Sequence, residues 1–398
     1  MVKRYYGGLI SAATPTVSSS SASGIFNTNQ HMQAKRIGIW PSPAPPPVLY
    51  NIYSWGNGGS GQLGLTNTFT YYAPQQIGSF NWSAVSAGYS HSQAIKIDGT
   101  LWVWGDNTFG ALGLGDGSNR SSPVQMGSNS NWSKVSAGSY FGLAITTTGQ
   151  LWAWGRNYRG SLGLGNTTYY SSPKQVGTDT NWSSIASSDN HSIAIKTDGT
   201  MWAWGSNVNG RLGLNDTTNR SSPTQIGAGT NWLSGSAGRV FSVAIKTDTT
   251  MWSWGDNGYG NLGLNNTTNY SSPKQIGGID GWSKIRAQYN SCAAIKTNGT
   301  LWTWGRGASG QLGLSTTADR SSPVQVGALT NWSNMGPGPF NTQCHVTKTD
   351  GTLWAWGSNF QGKLGLGDTG DRSEPNQVGS LTNWLTVATG YTHSIGLG

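Results

Sequence analysis

The side chains best suited to metal binding or proton transfer are few: five histidines, two cysteines and fifteen acids in 398 residues. Three of the histidines, His91, His191 and His393, fall at one phase of an internal repeat. Imidazoles so spaced would form a ring suited to zinc ligation or acid–base chemistry. In other units the same phase holds Phe141, Phe241, Ser291 and Gln343. A position that accepts phenylalanine is a packing position, so the histidines read as hydrogen-bonded strand residues. Cys292 and Cys344 share the phase of Ser92 in consecutive units and are not spaced as C-x-x-C. They read as buried free thiols, with a disulfide as the alternative. Asp98, Asp198 and Asp350 precede glycine in turns, where backbone preference accounts for them. Asp106 and Asp256 follow Trp-Gly where Arg156 and Arg306 stand in other units, so no carboxylate pair is set for hydrolysis. No calcium loop is legible. The expectation is a chain without catalytic residues, metal or cofactor, and not an enzyme.

The elements that position these residues are repeated. Trp-Gly recurs at Trp55, Trp104, Trp154, Trp204, Trp254, Trp304 and Trp356, at intervals of 49 to 52 residues. A second tryptophan marks another phase from Trp82 to Trp384, and a third precedes Trp-Gly by two residues. Together they account for twenty of the 21 tryptophans, leaving only Trp40. Such a period denotes a solenoid or a propeller. Within one unit, 82–87, 90–97, 100–104 and 124–126 read as short strands. Asp98-Gly99 reads as a type I′ hairpin turn. Four strands per unit, with no helical periodicity, make a propeller blade. The first unit lacks its opening half, and the chain ends with that half, Trp384 to Gly398. Joined, they complete a seventh blade. The reading is an all-β, seven-bladed β-propeller over 48–398, closed by N-/C-terminal strand exchange and preceded by an extended arm over 1–47. The tryptophans are read as core between blades rather than as a stripe for stacking sugars or bases.

Composition agrees. Glycine, at 59 residues, is about twice ordinary usage, and charged residues, at 10%, fall well below the usual ~25%. That excludes a coiled coil and, with so much tryptophan, a disordered chain. No apolar run is long enough to span a bilayer, so membrane insertion is not expected. Residues 1–50 carry Lys3, Arg4, Lys35 and Arg36 and no acid, and the rest of the net charge of +9 is spread thinly. Nucleic acid is therefore set aside as a partner. Leu9-Ile10 is too short an apolar stretch for a secretory signal.

The pattern W-x-W-G-x-N-x-x-G-x-L-G-L over Trp102–Leu114, with R-S-S-P-x-Q at Arg120–Gln125 and G-x-x-H-S at Gly88–Ser92, resembles the regulator of chromosome condensation repeat. The resemblance covers 49–398 and implies a seven-bladed propeller used as a binding surface. It implies no single function, since that family spans nucleotide exchange, trafficking, ubiquitin-ligase modules and secreted inhibitors. No unit is long enough to carry an extra hairpin of the kind exchange activity would use. The arm's G-G-L-I-S start, its serine tract and its Q-A-K-R-I-G-I-W-P end resemble the opening of tailed-phage virion structural proteins. That likeness implies an anchor on capsid or tail made by Tyr5, Tyr6, Leu9, Ile10, Ile25, Phe26 and Trp40.

Two sets of residues are candidates for binding. Tyr72, Arg120, Tyr170, Arg220, Tyr270, Arg320 and Arg372, before or within each S-S-P, form a Tyr/Arg ring on one rim. They are interface anchors or, alternatively, framework residues that tie blades together. Tyr158, Arg159, Tyr259 and Phe360, in the G-x-N-x-x-G loops, mark the other rim. The leading expectation is a virion fibre, spike or decoration protein made in the host cytoplasm. Its propeller would face a host glycan or protein, and it would assemble as a homo-oligomer such as a trimer. The alternative is a soluble protein-binding propeller, an inhibitor or scaffold. A nucleotide exchange factor or chromatin-associated regulator ranks behind both.

Overall fold

The computed structural model describes residues 49–79, 81–278, 280–338 and 342–398. The arm residues Tyr5 to Trp40 lie outside them, so the anchor expectation has no structural counterpart here. Among the described residues are seven four-stranded antiparallel sheets. We number these blades by their first strands. Blade 1 comprises Trp82–Ala87, His91–Lys96, Leu101–Gly105 and Arg120–Gln125. Blades 2 to 6 begin at Trp132, Trp182, Trp232, Trp282 and Trp332. Blade 7 is composite: Thr386–Thr389 and His393–Leu397 join Ile52–Gly56 and Tyr71–Gln76. Its seam runs from Ile52 opposite Leu397 to Gly56 opposite His393. This is the strand exchange expected from the two half-units.

The repeated tryptophans explain why one blade cannot stand alone. Trp104, Trp154, Trp204 and Trp254 are fully buried. Each indole N–H reaches a carbonyl of the preceding blade, as Trp204 Nε1 donates to Ser161 O at 2.9 Å. The same bond recurs around the ring, including Trp55 to Lys363 O at 2.9 Å. Each buried apolar cluster likewise draws on two successive blades. The second glycine of G-x-L-G-L makes room for this contact: a Cβ on Gly163 would lie 2.9 Å from Trp204 Nε1. The tryptophan two residues earlier is only half-buried and is capped by a lysine, with Lys196 Nζ 4.1 Å from the centre of the Trp202 ring.

Two local expectations are corrected. The last strand of blade 1 starts at Arg120, not at Val124, so R-S-S-P is itself the outer strand. An edge strand tolerates proline because its outward N–H has no partner to lose. A register shift between Val103 and Gly105 takes up the irregularity. The Asp98-Gly99 hairpin is also not type I′, since only Gly99 has positive φ, at 79°. Gly99 N–H closes the turn on Lys96 O, and Asp98 Oδ1 accepts from Thr100 N–H at 2.9 Å. This is a type I turn followed by a left-handed residue.

In blade 4 that left-handed position is Thr249, at φ 66°. A β-branched side chain there costs about 1–2 kcal/mol. Thr249→Gly is therefore expected to stabilise the protein by up to about 1 kcal/mol once glycine's greater chain entropy is subtracted. Urea denaturation of the two chains measures this, and an unchanged or lower midpoint for the variant would refute it.

Candidate protein-interaction face

Strand direction determines which loops share a rim. The four strands of a blade alternate in direction, so the loop between strands one and two opens beside the loop between strands three and four. Arg120 pairs with Gly105 at that same end. The Tyr/Arg set and the G-x-N-x-x-G loops therefore occupy one rim, not two as expected from the sequence.

The Tyr/Arg set lies at the outer edge of that rim and, Tyr72 apart, its side chains hold their own loops. Arg120 Nη2 meets Asp116 Oδ2 at 2.6 Å, and Arg220 and Arg372 repeat this with Asp216 and Asp368. Arg320 donates to Asp319 O at 3.1 Å. The Tyr170 and Tyr270 hydroxyls accept from Asn166 and Asn266. In blade 7 the equivalent residue is Tyr71, which accepts from Asn67 at 3.1 Å and faces Gly56. Tyr72 is one position off, packed over Gly362 of blade 6. Such exposed or half-exposed pairs contribute little stability, and they leave these groups engaged.

The G-x-N-x-x-G loops divide into a frame and an exposed pair. The buried Asn107 accepts from Leu112 N–H and donates to Asp116 O, both at 2.9 Å. The two residues between asparagine and glycine project outward. Phe109 and Arg159 are held at φ 62° and 57°. A bulky residue in that region is strained, and such strain concentrates at functional positions.

These projecting residues meet a group that sequence reasoning missed, the loops between strands one and two. Tyr89 stacks on Tyr391 with ring centres 4.3 Å apart, and on Tyr140 at 5.5 Å. Phe109 meets Tyr140 and Tyr169 edge-on. Arg156 lies 4.9 Å from the centre of the Tyr158 ring and 5.3 Å from that of Phe109. Burial, with Tyr391 and Tyr140 beside it, pushes the Tyr89 phenol up to about 12. The belt is thus neutral aromatic with guanidinium along one side, over blades 7, 1 and 2.

It continues into a notch of about 280 Å³ whose lining includes Tyr158, Arg159, Asp189, Arg211 and Arg239. Asp189 accepts from Ser139 at 2.6 Å and pairs with Arg239 at 3.6 Å. Arg239 also lies over the Tyr289 ring, 4.3 Å from its centre. Tyr259 and Phe360 stay apart from the belt: Tyr259 has Arg306 4.9 Å from its ring centre, and Phe360 is 61% exposed. The signal for the missed loops lay in the repeat. One position, following glycine in four of six units, reads Tyr89, Ser139, Asp189, Arg239, Tyr289 and Tyr391.

The histidine ring behaves as packing. His91, His191 and His393 are fully buried, and His393 Nε2 lies 2.9 Å from Ser92 Oγ of the next blade. Cys292 and Cys344 are buried free thiols. Among the described residues no cluster of His, Cys, Asp or Glu could hold a metal. Burial pulls His91 down to about 4 and both His345 and His393 to about 3.

These imidazoles fold neutral. Unfolding lets them regain an ordinary value near 6.5, so the unfolded chain binds more protons below that pH. The stability they supply is complete above about 6.5 and falls as pH drops toward 3–4, by about 1.4 kcal/mol per pH unit for each histidine. His393→Phe, the residue blades 2 and 4 use, is expected to flatten the slope of unfolding free energy between pH 6 and 4.5. Equal slopes for both chains would overturn this assignment.

The model of the regulator of chromosome condensation (RCC1) repeat matches residues 51–95, 98–145, 148–195, 198–245, 248–295, 298–335 and 350–397. Among solved structures, Prp20p from Saccharomyces cerevisiae superposes with a TM-score of 0.78 at 20% identity, over 88% of this chain and 92% of that one. Human WBSCR16 gives 0.79 at 21% identity, over 88% and 99%. At this identity the likeness is one of fold. The ultraviolet-B receptor UVR8 of Arabidopsis thaliana is 40% identical over 80 residues, 19% of this chain and 18% of that protein. The probable E3 ubiquitin-protein ligase HERC3 of Homo sapiens is 38% identical over 79 residues, 19% of this chain and 8% of that protein. The aligned segments therefore span less than a fifth of these curated relatives. Seven matched repeats in seven closed blades show that the chain belongs to the regulator of chromosome condensation (RCC1) repeat family.

Proposed function

We propose that this protein is a protein-binding propeller that works without turnover, and that its partner docks on the rim bearing Tyr391, Tyr89, Tyr140, Phe109, Arg156 and Tyr158. The observation that carries this reading is the continuous aromatic–guanidinium belt beside a polar notch. Tyrosine and arginine supply large contact area and directed hydrogen bonds, and they dominate the energetics of protein interfaces. The complementary partner presents apolar side chains to the rings and carboxylates to Arg156 and Arg159. Proteins of like fold support the choice of class: one structure describes Prp20p binding to Gsp1p and histones, and another Kap60 bound to yeast RCC1 (Prp20). Attachment to a virion would rest on residues 1–47 alone, and this reading makes no use of them.

The test is affinity capture from the source lysate with the full chain, a rim variant (Arg156→Ala with Tyr158→Ala) and a variant at Lys134, away from that rim. Proteins retained by the full chain and by the Lys134 variant, but lost from the rim variant, are the expected result. Equal retention by all three chains places binding elsewhere.

A further inference from the structure

The innermost strands carry a second, unrelated feature. Four residues after the tryptophan of the Trp82-to-Trp384 phase, six blades carry a small side chain: Ser86, Ser136, Ala186 and Ser236 in blades 1 to 4, Gly336 and Ala388 in blades 6 and 7. Where it is serine, its oxygen accepts a backbone N–H from the next blade. Ala137 N–H donates to Ser86 Oγ, Ser187 N–H to Ser136 Oγ and Ala287 N–H to Ser236 Oγ, at 2.9 to 3.0 Å. Blade 5 breaks the series with Arg286. The backbone nitrogen that would have donated there belongs to Pro337, which has no N–H. An arginine that cannot accept thus faces a proline that cannot donate.

The next glycine makes the space. A Cβ on Gly338 would lie 2.9 Å from Arg286 Nη2, against a side chain 1% exposed. The segment from Trp332 to Gln343 is also two residues longer than its counterpart from Trp82 to His91. The extra length of the one 52-residue interval therefore follows Gly338 in the sequence.

Arg286 lines a central cavity of about 240 Å³ together with Ser86, Ser136, Ser236 and Gly338. Its Nη2 donates to Thr389 Oγ1 of blade 7. Among the described residues Nε and Nη1 have no hydrogen-bond partner, and no carboxylate pairs with the guanidinium. Burial lowers its affinity for protons, but a guanidinium keeps its charge in proteins. The Ser86 and Ser236 hydroxyls, having accepted a backbone N–H, still hold a proton to donate. The cavity therefore offers a positive charge and further donors with nothing among the described residues to receive them. Buried charges are ordinarily paired.

We infer that the central cavity is a binding site for a small oxyanion, a phosphate or carboxylate held by Arg286 with Ser86 and Ser236. The anion is a ligand of the ring's interior and is separate from the partner docked on the rim.

The test follows the thermal midpoint of the full chain in increasing inorganic phosphate, and separately in acetate, at ionic strength held constant with sodium chloride. A ligand bound only by the folded state raises the midpoint with the logarithm of its concentration. The expected result is a rise with phosphate for the native chain and none for Arg286→Ser, the residue three other blades use. Arg286→Met keeps the bulk without the charge, and it serves if the serine variant does not fold. A rise with acetate as well extends the class to carboxylates. A flat response of the native chain overturns the inference, as does an equal rise in the native chain and either variant.

Discussion

Trp204→Ala is expected to lower the unfolding free energy by about 3–5 kcal/mol, the range for removing a buried tryptophan. The ring has no exposed surface and lies edge-on to Trp182, 6.2 Å away between centres. Its cost comes mainly from the cavity, because the carbonyl it leaves behind is not orphaned. Ser161 O also accepts from Ser192 Oγ at 3.1 Å. Trp202, two residues earlier on the same strand, provides the comparison. It is half-buried beneath Lys196, and its N–H donates to Thr200 Oγ1 at 2.9 Å. Trp202→Ala vacates surface that solvent can refill, so its cost should be less than half that of Trp204→Ala. Denaturant titration of both variants separates them. Equal losses would mean that contacts between blades are not what the repeated Trp-Gly secures.

This contrast shows why the fold was legible. A tryptophan fully buried in every unit has to recur at every unit, and its spacing counts the blades. The two half-units declared the composite blade for the same reason: the missing strands of one end are the surplus strands of the other. The rims were harder. Which loops share a rim depends on the parity of strands between them, and the start of the outer strand was misplaced by four residues. With either start, Val124 or Arg120, the Tyr/Arg set stays between strands three and four and so shares its rim with the G-x-N-x-x-G loop; the parity of the strands, not the strand boundary, decides this. The belt was hidden for a different reason. Tyr89, Tyr140 and Tyr391 each sit at a variable position of a short loop; blade succession stacks Tyr89 on Tyr140, and ring closure, which brings the last blade beside the first, stacks it on Tyr391. Arg286 left a mark in the sequence, an arginine among serines, alanines and glycine, but its missing partners emerge only in three dimensions.

Ring closure itself carries the second large effect. Removing residues 386–398 takes away both inner strands of blade 7, with the buried Val387, Ala388, Ile395 and Leu397. It also strips the edge of Ile52–Gly56, which pairs along its whole length with His393–Leu397. An unpaired apolar strand edge is a template for aggregation, and the first and sixth blades each lose a packing face. The truncated chain is expected to lose its cooperative unfolding transition and to aggregate. Deletion alone would not separate lost surface from lost closure, so a circular permutant is the matching experiment. Asn51 and Gly398 exchange backbone hydrogen bonds at 2.9 and 3.0 Å, so a short glycine–serine linker can join them. New ends opened at 128–130, in the exposed connection between blades 1 and 2, leave every blade intact but remove the strand exchange. That chain drops residues 1–50, and with them the Tyr50–Trp82 bridge, keeps every named strand, and lacks the hydrogen-bonded seam that prevents the ring from opening between its ends. It is expected to fold, with opening at the new junction seen as faster amide exchange in Trp132–Ala137. If the permutant matches the native chain in both midpoint and exchange, packing between blades holds the ring without the seam. If the truncated chain still unfolds cooperatively at the native midpoint, the composite blade is not what closes the ring.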